Sequence, residues 1–224
     1  MGAAYFSLLL PAACGTPAPA PIALPAGVEP EAVALAVLEQ TQPRNPLRIL
    51  FQYRVREADF RFRGQGVARV DLPYRVRLDL FSHQGETIFE AALVEGDLRV
   101  PPWAPRELAP PPALLWAALG IFRPDPDLRF LGGEGGPDGG VVLRYGRPGS
   151  LELRFRISDG QLTRAELHRD GHLAEEVDLA LEGAPVKVVE TVYRNRAEFL
   201  EMTFSLESVE NVESFPSFIW YPGG

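Results

Sequence analysis

This sequence has one cysteine, Cys14, one lysine, Lys187, and three histidines. A lone thiol excludes an internal disulfide framework and leaves the rest of the chain free of thiol chemistry. Nearly all positive charge is arginine, a bias that carries no mechanism by itself. His168 and His172 stand four apart, a metal spacing on a helix, but they flank an Asp170-Gly171 turn between strands. Glu175 and Glu176 lie near, yet no further nitrogen or sulfur ligand follows, so no metal site is expected. His83 sits alone in a turn. There is no Gly-x-Ser-x-Gly elbow, no His-Glu-x-x-His and no Cys–His pair. The carboxylates fall on solvated strand faces, where pairing any two for acid–base chemistry would be arbitrary. The sequence thus predicts no catalytic residues, no cofactor and no enzyme. A formal net charge of −8 argues against nucleic acid as a partner.

What the chain has in quantity is alternation. Leu47, Ile49, Phe51, Tyr53 and Val55 alternate with Arg48, Gln52, Arg54 and Arg56. Phe60, Phe62, Gly64, Gly66, Ala68 and Val70 oppose Asp59, Arg61, Arg63, Gln65 and Arg69, and Tyr74, Val76, Leu78 and Leu80 oppose Arg75, Arg77 and Asp79. A period of two means one wet and one dry face, hence antiparallel strands. Further strands are predicted at 86–94, 98–100, 141–145, 151–157, 161–169, 173–181, 186–194 and 198–206, about eleven in all, most hairpins carrying a turn signal such as Asp159-Gly160. One long twisted sheet of this kind must curl to bury its dry face. Gly64 and Gly66 share that face, which implies either a coil in the sheet or space left open. Residues 132–140 are glycine-rich, but no Lys-Ser/Thr pair follows, so they read as a flexible connector and not a phosphate loop. The aromatic tail, 215–221, is placed either on a sheet edge or as a cap.

Two helices punctuate the strands. Glu29-Pro30-Glu31 opens one over 32–40, ended by Pro43 and Pro46. The other, 112–122, follows Pro110, Pro111 and Pro112 and is apolar on every side until Arg123, with Pro124 and Pro126 as its stop. It is too short to span a bilayer, which takes roughly twenty apolar residues. A helix apolar all round must be buried. Either it fills the curled sheet as core, or it is a lid over a cavity holding something else apolar.

Residues 1–14 read MGAAYFSLLLPAAC. The apolar run, the small residues and the cysteine resemble the end of a bacterial lipoprotein signal peptide, which makes Cys14 the expected site of acylation. Pro11 stands where a leucine is usual, and a positive n-region is missing, which implies a true start upstream. Residues 15–28 begin as a Pro/Ala tether, semi-rigid and extended, and 29–224 form one domain. Charge is split along it. Arginines crowd the first strands and acids the last, as expected of solvated faces of opposite sign. A sharper reading makes Arg61, Arg63, Arg75 and Arg77 a contact for anionic headgroups or an acidic partner.

The order helix, antiparallel strands, apolar mid-chain helix and acylated amino terminus resembles the LolA/LolB superfamily of periplasmic lipoprotein carriers, and LolB more than LolA because of Cys14. The local likeness is 76–122: strand, turn ending in Gly85, strand, Gly96-Asp97-Leu98-Arg99-Val100, then the helix. The resemblance implies a mainly β fold, a strongly curved unclosed barrel whose helices cover a hydrophobic cavity for acyl chains. Leu114, Leu115, Trp116, Leu119 and Phe122 would form the lid, and Phe60, Phe62, Val76, Leu78, Leu80, Phe89 and Phe155 the wall. It further implies a monomer anchored on the periplasmic face of the outer membrane, aiding lipoprotein or lipid localisation, with a periplasmic carrier protein as partner. One departure stands out: LolB-type proteins carry a protruding apolar residue after the third strand, whereas this turn is Ser82-His83-Gln84-Gly85. The competing expectation is a non-catalytic envelope interaction module with a filled core.

Overall fold

The computed structural model describes residues 22–57, 60–147 and 149–223. Cys14, the first part of the tether and Asp59 lie outside the described residues. The strands are β1 (Leu47–Glu57), β2 (Phe60–Asp71), β3 (Arg75–Ser82), β4 (Thr87–Val94), β5 (Asp97–Arg99) and β6 (Arg129–Gly135) in the first half. The second half adds β7 (Val141–Arg147), β8 (Leu151–Ser158), β9 (Gln161–Arg169), β10 (His172–Glu182), β11 (Lys187–Asn195) and β12 (Leu200–Asn211). Helices α1 (Pro30–Thr41) and α2 (Pro112–Ala118) complete the fold. All 12 strands join one sheet in the order β5-β4-β3-β2-β1-β12-β11-β10-β9-β8-β7-β6. Two meanders therefore meet at β1 and β12, and the ends of the sheet, β5 and β6, do not pair with each other. The result is a mainly β, unclosed antiparallel barrel.

The strand missed by periodicity is β6, whose second half enters the stretch, 132–140, expected to be a flexible connector. Glycine weakens a strand's pattern because it offers no side chain to read. Here its bareness has a use. A Cβ on Gly133 would meet the Pro30 ring, and one on Gly135 would overlap the carbonyl of Ala23. The Gly135 amide donates to the Ile22 carbonyl at 2.8 Å. The amino-terminal chain thus lies along the free edge of β6 and covers it, one of the ways a sheet edge is protected.

On the dry face, Phe51 pairs with Gly66 and Tyr53 with Gly64 across β1 and β2. The two rings lie over the bare backbone, and a Cβ at Gly66 would enter the Phe51 ring. The glycines therefore make room for the chain's own aromatics. The Tyr53 hydroxyl donates to the Phe81 carbonyl at 3.1 Å, and burial pushes its pKa up to about 12.

The arginine-rich and glutamate-rich ends of the sequence are neighbours in space. Arg48 pairs with Glu210 and Arg56 with Glu201 across β1 and β12, with N–O separations of 3.5 and 3.4 Å, and Gln52 donates to Glu207 at 2.7 Å. Opposite charges on facing positions favour this pairing over others. Further round the wet face, Arg164 donates to Glu166 at 2.7 Å and to Asp178 at 3.0 Å, and also pairs with the buried Glu176. The aromatic tail takes the second of its two expected places: a 3₁₀ turn, Ser217–Trp220, caps the wet face of β3 and β4 and buries Trp220.

Two outcomes follow from these contacts. Gly64→Ala, whose Cβ would overlap the Phe81 carbonyl oxygen, should lower unfolding stability by about 2 kcal/mol or more in chemical denaturation. The hydrogen bond from His168 and the charge of Arg164 hold the Glu166 carboxyl at about 2, below its ordinary 4.5. A depressed carboxylate contributes stability above its unfolded pKa and loses it as pH falls toward the folded value. Glu166→Gln should therefore cost about 1 kcal/mol at neutral pH, allowing for solvent screening, a cost that fades as pH falls from its unfolded pKa through about 2.

Candidate functional site

Because β5 and β6 lie at opposite edges, residues 100–128 have to cross the dry face of the sheet. Their composition suits that course. Pro101, Pro102, Pro105 and Pro110–Pro112 stiffen the entry, and Ala113 to Ala118 are all buried. The helix ends earlier than the apolar run does. Gly120 adopts φ 76°, its amide donates to Ala117 O at 2.8 Å, and the Ile121 amide donates to Trp116 O at 3.0 Å. These are the paired bonds of a glycine-terminated helix. Gly120, and not Arg123 or Pro124, is the stop, so the expected helix over 112–122 is shortened to α2.

The crossing is seated almost wholly by apolar contact. α2 lies against β9, β10 and β11. Phe122 meets the Phe155 ring edge-on at 5.0 Å and the Tyr145 ring at 6.2 Å. Among the described residues, two side-chain hydrogen bonds tie the crossing to the rest of the protein. The Thr191 hydroxyl donates to Ala118 O at 3.0 Å, and the Phe122 amide donates to the Thr41 hydroxyl at 3.0 Å. At the exit, the Arg123 guanidinium lies 3.1 Å from the Tyr74 ring centre and 5.7 Å from that of Trp116. Burial lowers the Arg123 pKa, partly offset by Tyr74.

Among the described residues, two small voids lie beneath the crossing. An apolar seam of about 10 Å³ separates Pro110, Leu115, Ala118 and Leu119 from Ile49, Phe51, Leu78, Phe204 and Leu206. A second void, of about 20 Å³, lies between Trp116, Ile121 and Phe122 on one side and Leu38 and Val70 on the other. Each holds about one water, whereas ligand pockets run to roughly 300 Å³ or more. Among the described residues, the crossing occupies the concavity at both of these places.

The predicted residues divide clearly. Leu114, Leu115, Trp116 and Phe122 are buried in the crossing, Leu119 is half-buried at the seam, and Val76, Leu78, Leu80, Phe89 and Phe155 are buried on the dry face. Phe62 is half-buried, its ring 6.1 Å from that of Tyr53. Phe60 stands apart at 73% exposed. Of the arginines, Arg61 and Arg63 are exposed and Arg75 is half-buried. Arg77 pairs with Asp79 and Glu90 and donates to the Ile219 carbonyl at 2.6 Å, so it holds the carboxy-terminal cap. Sequence reading missed Phe204 and Leu206 as neighbours of the helix, although their alternation was visible. Thr41 and Thr191 carried no signal, since a threonine among strands or at a helix end is unremarkable. The histidines do not converge: His168 contacts Glu166, while Glu175 accepts from Tyr193 at 2.7 Å.

No family model matches the chain, and no curated protein does. Solved structures do. A LolA superfamily protein from Nitrosomonas europaea superposes with a TM-score of 0.58 at 11% identity, over 87% of this chain and 98% of that one. A DUF1329 family protein from Desulfovibrio piger aligns at a TM-score of 0.47 and 8% identity, over 87% and 98% of the two chains. The likeness is one of architecture: this chain has a LolA/LolB-like fold.

Removing the hydroxyl of Thr191 would strand the buried Ala118 carbonyl, a loss of about 1–3 kcal/mol. Thr191→Val should accordingly speed amide hydrogen exchange in α2 while leaving β1 and β12 protected.

Proposed function

We propose that this protein is a non-catalytic, envelope-located binder of acyl chains in its closed state, with the crossing occupying its own binding site. The observation that carries this reading is the way residues 100–128 are held. Hydrocarbon can replace an apolar plug at the cost of few polar contacts, and here the bonds from Thr191 and to Thr41 and the Arg123–Tyr74 contact are the ones that would need breaking. The energies are comparable. Burial of Leu114, Leu115, Trp116, Ile121 and Phe122 stabilises the closed form by about 1.5–3 kcal/mol per side chain. A long acyl chain contributes about 0.8 kcal/mol per methylene, ~10 kcal/mol in total. Two states so balanced exchange by differential affinity, with no covalent step.

On this reading Leu114, Leu115, Trp116, Leu119 and Phe122 are the movable element. Val76, Leu78, Leu80, Phe89 and Phe155, joined by Phe51 and Phe204, are the surface it uncovers. Acylation of Cys14 would hold the domain on the periplasmic face of the outer membrane, where it would act in lipoprotein or lipid localisation, receiving cargo from a soluble carrier protein. The second reading is a solid interaction module, favoured by the small voids under α2.

Native mass spectrometry and displacement of a fluorescent fatty acid separate the two. The acyl-binding reading expects one bound chain, tighter binding or faster uptake in Thr191→Val, and weakened binding in Leu119→Trp. If neither the native sequence nor Thr191→Val takes up any acyl chain, the module reading stands instead.

A further inference from the structure

Most arginines on the wet face of the second meander are matched to acids: Arg144 and Arg154 to Glu152, Arg164 to Glu166, Glu176 and Asp178, Arg194 to Asp178 and Glu201. The β1–β2 hairpin breaks this pattern. Arg54 faces Arg63, and Arg56 faces Arg61, on directly opposed positions of the two strands. All four are exposed. Among the described residues, Arg54, Arg61 and Arg63 make no ion pair, and Arg56 shares Glu201 with Arg194. Like charges facing each other across a ladder are unfavourable, so the fold gains nothing from this arrangement.

The same end of the sheet carries two bare aromatics at its rim: Phe60, the first residue of β2 and of the parity opposite to Arg61 and Arg63, and Phe199, just before β12. Phe60 is 73% and Phe199 80% exposed. Glu57, at the end of β1, pairs with Phe60 on one side and with Leu200 on the other. Two strand spacings separate the phenylalanines, on the order of 10 Å. Exposed aromatics beside a basic cluster are the composition of a bilayer interface, where cations meet anionic headgroups and rings enter the boundary with the acyl region.

We propose that Arg54, Arg56, Arg61 and Arg63, with Phe60 and Phe199, form a docking surface for an anionic phospholipid bilayer. The occupant follows from charge complementarity and from the adjoining rings, which an acidic soluble protein would leave uncovered unless it also offered an apolar patch. This surface is independent of the acyl-binding reading, since it needs no movement of α2.

The test uses the full chain with Cys14→Ala, so that no attached lipid carries it to the membrane. Co-sedimentation is measured with phosphatidylcholine vesicles with and without phosphatidylglycerol, at low and high salt. Binding should require phosphatidylglycerol and fall with salt, and Arg61→Glu with Arg63→Glu should weaken it roughly tenfold or more. Phe60→Trp should gain blue-shifted emission on the anionic vesicles. Equal binding to both vesicle types, or binding indifferent to the charge reversal, overturns the proposal. Capture by polyglutamate with no binding to vesicles also overturns it, in favour of an acidic protein partner. The salt dependence of the unsubstituted surface keeps the test valid should the double variant fold poorly.

Discussion

The molecule depends on one topological constraint: its two edge strands lie at opposite ends of a single curled sheet. Consecutive meanders that meet at β1 and β12 leave β5 and β6 as far apart as the sheet allows. The chain between them has no course except over a face. Over the wet face it would displace the hydration of a dense charge network. Over the dry face it buries apolar surface, the dominant favourable term in folding. That choice explains why 112–122 has no polar side and why prolines crowd its entry.

The same constraint shapes how a function could arise. A segment that fills a concavity by dispersion and area alone is bound the way a lipid would be bound. On the acyl-binding proposal, the sheet's wall would accept a methylene chain in place of Leu115. The Thr191 and Thr41 bonds and the Arg123–Tyr74 contact are the directional elements that hold the crossing in one place. Their small number separates this segment from the strands, each of which is fixed by a full ladder of hydrogen bonds.

Charge does separate work on the outside. The arginine block of β1 and the glutamate block of β12 face each other at the junction of the meanders. That junction is the one strand pairing in the sheet that joins distant parts of the sequence. What looked in the linear chain like a dipole of solvated faces is a local code for register. The hairpin arginines outside this code, Arg54, Arg61 and Arg63, make no ion pair among the described residues.

Much of this was legible in the residues. Period-two alternation placed eleven of the strands, because a side chain's facing in a ladder depends only on its parity. The resemblance to the LolA/LolB superfamily anticipated the unclosed barrel. Strand β6 was not legible, since glycines carry no parity, and neither was the stop at Gly120, whose role depends on a backbone angle. Phe60 kept the parity of the wall, but it lies at the start of its strand, and parity cannot tell where a strand leaves the core. The sequence alone determined which face is dry and that α2 must be buried, for both are properties of spacing and polarity. Only the tertiary structure decided that the hollow is occupied by the chain itself, that Gly64 and Gly66 admit Tyr53 and Phe51, and that Arg77 holds the tail. Volume and proximity are settled by how distant segments pack, which no local pattern records.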